Sequence, residues 1–183
     1  AQSFSAAVRR QEAYHRAVER AELAIAAGYE QFGDWSLESG YQAMQRLLAE
    51  GVSFSAVLAS NDESALGALQ ALKEAGRRIP HDVALIGVDD RPESAIQTPA
   101  LSSVQIPLFK LGYQAVDMIL QQIDQRPDAA QLIHVPTRLI PRESCGCGHM
   151  RNNEERAGLP RQRMIEAVAR DAQRTPIDEV QRA

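Results

Sequence analysis

Three parts of this chain gather residues that could do chemistry. Cys145-Gly-Cys147-Gly-His149 offers two thiols and an imidazole, the ligand types of a zinc site. A tetrahedral zinc site needs four ligands, usually in spaced pairs, and this run supplies three in tight succession with no partner pair. No metal is expected, and the segment reads as a linker with two free thiols. Asn61-Asp62 and Asp89-Asp90 stand directly after the apolar runs FSAVLAS and VALIGV. An aspartate can accept from two adjacent hydroxyls, and an asparagine both donates and accepts, which is the equipment a polyhydroxylated ligand needs. The same residues can equally serve as helix caps and turn formers, a reading that fits Asp62 and Asp90 just as well. Trp35, the only tryptophan, lies between Gly33-Asp34 and Ser36, in a loop rather than on an apolar stripe. Stacking on a sugar ring or a base is what such a placement allows.

Catalysis finds no support. The four histidines, His15, His81, His134 and His149, form neither an HxxxH nor an HExxH pair, and no GxSxG elbow, Walker loop or GxGxxG follows any strand. A hydrolase built on Asp89-Asp90 would lack a nucleophile and a partnered base, so the expectation is a protein that is not an enzyme and carries no cofactor. A purely structural dimerisation domain would bury Trp35 far from Asp89 and Asn61.

The elements that must position these residues alternate between helix and strand. Apolar residues recur at helical spacing from Ala6 to Ala26, with Gly28 as a stop. Ser36 can cap a helix over Leu37 to Glu50, and Asn61-Asp62 can cap another over Glu63 to Glu74 that ends at Gly76. FSAVLAS and VALIGV are short apolar runs of the kind found in buried parallel strands. LSSVQI leads through Pro107 into a helix over Leu108 to Gln125, and LIHVPTRLI closes the series as a last strand. Short connections between alternating strands and helices predict an α/β fold with an open parallel sheet and helices on both faces. Ligands bind such sheets at the carboxyl ends of the strands, where Trp35, Asn61-Asp62 and Asp89-Asp90 fall. After Pro141 the chain turns polar, so residues 143–183 read as a linker followed by a short helix around Arg163 to Ala172.

Composition bounds the rest. With 183 residues, 44% of them hydrophobic and 24% charged, the chain suits one globular domain with an appendage. Lys and Arg number 20 against 24 Asp and Glu, for a net charge of -4, and no basic block occurs, so direct nucleic-acid contact by this chain is not expected. No apolar run approaches the roughly 18 to 20 residues that span a bilayer, and the opening residues lack a signal-peptide layout, which points to the cytoplasm. Two cysteines make no disulfide framework.

Taken together, GDWSLESGYQAMQRLL (33–48), AVLASNDESALGALQALKEAGRRIPHDVALIGVDD (56–90) and TPALSSVQIPLFKLGYQAVDMIL (98–120) resemble the effector-binding domain of the LacI/GalR family, which is similar to periplasmic sugar-binding proteins. The resemblance spans about residues 6–142. It implies one lobe of a type I periplasmic-binding-protein-like fold whose effector, a sugar or nucleoside-like molecule, lies in a cleft between two Rossmann-like lobes. It also implies effector contacts at Arg10, Trp35, Asn61 and Asp89, with Gln105 as a weaker candidate at the crossover between lobes; an apolar helix face left uncovered predicts dimerisation, swapping or repacking, and a homodimer is expected. The helix 108–125 would pack on the other lobe, leaving Leu111, Val116, Ile119 and Leu120 uncovered here, and half a cleft would bind weakly by itself. The stretch 143–183 resembles the connection by which the same sensor module is fused to a diguanylate cyclase or histidine kinase. That context stands as the alternative to a transcriptional regulator.

Overall fold

A computed structural model describes residues 5–25, 28–124 and 132–147. The expected helix at 163–172 and His149 lie outside the described residues. Three strands, β1 (Ala56–Leu58), β2 (Ala84–Asp89) and β3 (Ser102–Gln105), run parallel in that order. β4 (Arg138–Ile140) joins β3 antiparallel, pairing Gln105 with Arg138 and Ser103 with Ile140. The sheet is therefore open but mixed, where an all-parallel one was expected. Only the last three residues of LIHVPTRLI enter the ladder, since Pro136 has no N–H to give it.

One face of the sheet is covered by α3 (Asp62–Glu74), which is in turn covered by α2 (Leu37–Ala49). Both helices start where polar side chains cap them: Ser36 accepts from the Ser39 amide and Asn61 from the Ser64 amide. Met44, Leu47, Ala65, Ala68, Leu69 and Leu72 from the helices meet Val83, Leu85 and Leu101 from the sheet side in a continuous core. Leu58 of β1 is more than half exposed, and a 3-10 turn, η1 (Glu143–Cys145), packs against β2 and the start of β3. Ser144 of this turn is fully buried; its hydroxyl donates to the Leu85 carbonyl and accepts from the Ser102 amide. Residues 143–147, expected within a linker, are thus packed on the sheet.

Two further elements complete the chain. α1 (Ser5–Arg20) ends sooner than its apolar pattern suggests, because Glu22 adopts a left-handed backbone and the Leu23 amide closes back on the Val18 carbonyl. A short α4 (Pro92–Ala95), not foreseen from the sequence, follows the β2 turn with Pro92 in its first turn. α5 (Leu108–Ile123) has no buried residue: Leu111, Val116, Ile119 and Leu120, together with Phe109, Tyr113 and Ile123, lie exposed. Uncovered apolar side chains of that size are unusual on a finished surface.

Glycine permits the close approach of α2 to α3. A Cβ on Gly67 would land on the Leu37 carbonyl oxygen, and one on Gly40 on the Ser64 carbonyl oxygen, both of them backbone atoms with little freedom to yield. Gly112, on the exposed α5, has nothing near it. Gly67→Ala is expected to destabilise the protein by about 1–3 kcal/mol through overpacking. Gly112→Ala is expected to leave stability unchanged or raise it by up to about 1 kcal/mol through helix propensity. Urea denaturation of the two variants beside the parent chain checks the contrast.

Candidate ligand-binding site

The carboxyl ends of β1 and β2, the turn before α2 and one face of α1 converge. The Arg10 guanidinium, from α1, lies 5.0 Å from the centre of the Trp35 ring, donates to the Ser60 carbonyl, and stands 3.9 Å from an Asp89 carboxylate oxygen. One cation therefore joins an aromatic face, a backbone carbonyl at the end of β1 and a carboxylate at the end of β2. Arg10 and Asp89 each keep about a third of their side-chain surface exposed, so both remain open to a ligand.

Trp35 is held by its neighbours. The Asp34 carboxylate accepts from the Ser36 amide and hydroxyl, and these bonds, with the Ser39 hydroxyl's contribution, depress its pKa to about 2. The Asn61 side-chain amide donates to the Trp35 backbone carbonyl at 2.8 Å while its oxygen caps α3. Asn61 is thus nearly buried, and its polar atoms are engaged inside the protein. It joins the loop carrying Trp35 to the start of α3, which is positioning work not visible in the sequence. Burial of Trp35 away from Asp89 and Asn61, the mark of a purely structural domain, is not what the chain adopts.

Under the site lies Asp62, fully buried on the first turn of α3. One carboxylate oxygen accepts from the Ser103 hydroxyl on β3, the other from the Arg91 amide and the Ser94 hydroxyl on α4. A carboxylate in the first turn of a helix also gains from the helix dipole. Gly87 makes room for it on β2, since a Cβ there would meet an Asp62 oxygen. Among the described residues, no buried side-chain nitrogen or oxygen lacks a partner.

Strain gathers at the same place. Among the described residues, the non-glycine residues with positive φ are Glu22, Trp35, Asp89 and Asp90. Three of these four line the turns of the site, and each such conformation costs roughly 1–3 kcal/mol that the surroundings must offset. Desolvation also raises the Asp89 pKa above its ordinary value, overriding the opposing pull of Arg10.

Among the described residues, no three His, Cys, Asp or Glu side chains group as metal ligands. Cys145 and Cys147 are joined by a disulfide, correcting the expectation of two free thiols. The one-residue spacing leaves their Cα atoms 5.3 Å apart, within the range a disulfide bridges. A shallow groove of about 440 Å³ between the carboxyl ends of α2 and α3, lined by Gln45, Leu48, Ala49, Ala71, Glu74 and Ala75, lies at the other end of these helices, where Tyr41 joins Gln45 to Glu74 by hydrogen bonds.

An open α/β sheet with a charged and aromatic cluster at its strand ends defines a periplasmic-binding-protein-like lobe, and a model of the periplasmic binding protein-like domain matches residues 1–145. The chain belongs to the LacI/GalR family, as an effector-binding domain. It is 37% identical over 139 residues to the transcriptional repressor PurR of Escherichia coli O1:K1, covering 76% of this chain and 41% of the repressor. Among solved structures, it is similar to the transcriptional regulator CelR in complex with cellobiose, with a TM-score of 0.73 and 30% identity over 79% of this chain and 44% of that one. It is also similar to the lac repressor dimer bound to operator and the anti-inducer ONPF, with a TM-score of 0.71 and 33% identity over 76% and 42% of the two chains. The chain spans about two-fifths of the length of the curated relatives it matches.

Two substitutions test this construction. Asp62→Ala would leave two hydroxyls and an amide buried without their acceptor, and a loss of about 3 kcal/mol or more in denaturant unfolding is expected. Asp89→Asn acts in the opposite direction. Because the folded pKa lies above the unfolded value of 3.8, the folded chain holds a proton that the unfolded chain has released, so this group's contribution to stability falls as pH rises through that window. Above that window Asp89 carries its charge at a desolvated, strained position, and there Asp89→Asn is expected to melt higher than the parent. The gain should shrink as pH falls below 3.8, as thermal melts across pH would show.

Proposed function

We propose that this chain is the effector-binding lobe of a transcriptional regulator and that it recognises a hydroxyl-rich small molecule, a sugar or nucleoside. The observation that carries the reading is the Arg10–Trp35–Asp89 cluster. Asp89 would accept from adjacent ligand hydroxyls, Arg10 would donate to a ring or hydroxyl oxygen, and Trp35 would cover an apolar ring face. Asn61 would act chiefly by holding the Trp35 loop. The solved relatives support a small-molecule ligand, since one is a complex with cellobiose and another holds the anti-inducer ONPF.

Binding would work by population shift: a ligand that fits the closed cleft better than the open one favours closure, and whatever is attached reads the altered geometry. The protein is not an enzyme in this reading, takes no cofactor, and acts in the cytoplasm as a homodimer, as its repressor relatives suggest. No helix among the described residues is long and apolar enough to cross a membrane. DNA contact would fall to other parts of the regulator.

The test is a thermal-shift panel of mono- and disaccharides and nucleosides, cellobiose included, on the full-length gene product. A ligand at 100 times its Kd adds roughly 2.7 kcal/mol of stability, a readily measured rise in Tm. One chemical class is expected to give that rise, and Asp89→Ala and Trp35→Ala are each expected to remove it. A panel without effect, or a shift that survives both substitutions, would overturn the assignment.

A further inference from the structure

Asp90 was indistinguishable from an ordinary turn former in the sequence, yet its carboxylate is over nine-tenths buried and fully engaged. One oxygen accepts from Arg142 at 2.6 Å and the other from the Gln105 side-chain amide at 2.8 Å, while the Asp90 amide donates to the Ser103 hydroxyl. Arg142 is itself fixed: its second guanidinium nitrogen donates to the Leu101 carbonyl and its amide to the Ser102 hydroxyl. Gln105 is the last residue of β3, two residues before Pro107 and the start of α5. Arg142 follows β4, the strand on which the chain comes back. The turn that carries Asp89 is thus tied, through its neighbour, to both strand ends flanking the α5 excursion.

The backbone makes such a tie necessary. Asp89 and Asp90 have φ values of 116° and 60°, neither of which an aspartate adopts readily, so the direction of the Asp89 carboxylate depends on what holds the turn. Arg10, at 3.9 Å and with about a third of its side chain exposed, is a weaker restraint than the two short bonds on the nearly buried Asp90 carboxylate.

We propose that Asp90 is a positioning residue for the ligand site, its carboxylate shared between Gln105 and Arg142 so that the ends of β3 and β4 set the direction in which Asp89 faces a ligand. The inference rests on the reading of Asp89 as a ligand contact. It gives Gln105 a definite part as well, acting through Asp90 instead of touching ligand.

The test needs no ligand, so its outcome stands apart from the panel above. Gln105→Leu removes one donor to Asp90 without changing any charge. Arg142→Lys keeps the charge, but a lysine cannot bridge Leu101 and Asp90 with a planar fork. The charged groups around Asp89, namely Arg10, Asp62, Arg91 and Glu63, are untouched in both variants. The readout is the titration of the Asp89 side-chain carboxyl carbon by NMR. In each folded variant its midpoint is expected to move down towards the ordinary carboxylate value, with displaced amide resonances at Asp89 and Asp90. Titration curves that superpose on the parent's in Gln105→Leu, whose site is part-exposed and tolerant, would overturn the proposal even if the melting temperature fell. A merely structural Asp90 would lower stability and leave Asp89 where it was.

Discussion

The structure depends most on a single buried carboxylate. Asp62 accepts three hydrogen bonds from three segments, β3, the start of α4 and the turn between β2 and α4, in a position from which solvent is excluded. A polar group buried there is tolerable because both of its oxygens have donors and a helix begins at that residue. In return it fixes the relation between α3 and the strand ends, and with it the floor of the site. Gly87 belongs to the same arrangement, since the carboxylate occupies the space a side chain would fill.

Above that floor the chain is arranged against its own comfort. Trp35, Asp89 and Asp90 hold backbone conformations they would not choose alone, and the Asp89 carboxylate is partly desolvated. Groups held in this way would lose little further freedom if a ligand docked on them, because the cost of ordering them is already met at folding. Stability given up for a preorganised site is a common pattern in binding proteins.

Much of this was legible in the residues. Ser36 and Asn61 announced the two helix starts through their capping chemistry, and FSAVLAS and VALIGV announced strands as short apolar runs bounded by turn residues, although β1 is only part-buried and the buried β3 carries two serines. The juxtaposition of Arg10, Trp35 and Asp89 followed from the resemblance to a known family, not from spacing. What stayed hidden were consequences of distance along the chain. Nothing local in ASND marks Asp62 as the residue that Ser103 reaches from 41 positions away, and nothing in RESCG shows that Ser144 will close on Leu85 from 59 away. The reversed direction of β4 was equally non-local, since apolar alternation fixes a strand and a face but says nothing about which way its neighbour runs.

Trp35 has one more consequence. It is the only tryptophan in the sequence, and its ring sits beneath the Arg10 guanidinium. All indole fluorescence from the chain therefore arises at one point, next to a cation whose position depends on Asp89 and Ser60. Any event that lifts Arg10 from the ring alters the field and the solvent around the sole emitter. The protein carries its own optical gauge, placed where occupancy would be felt, and needs no attached dye to be read.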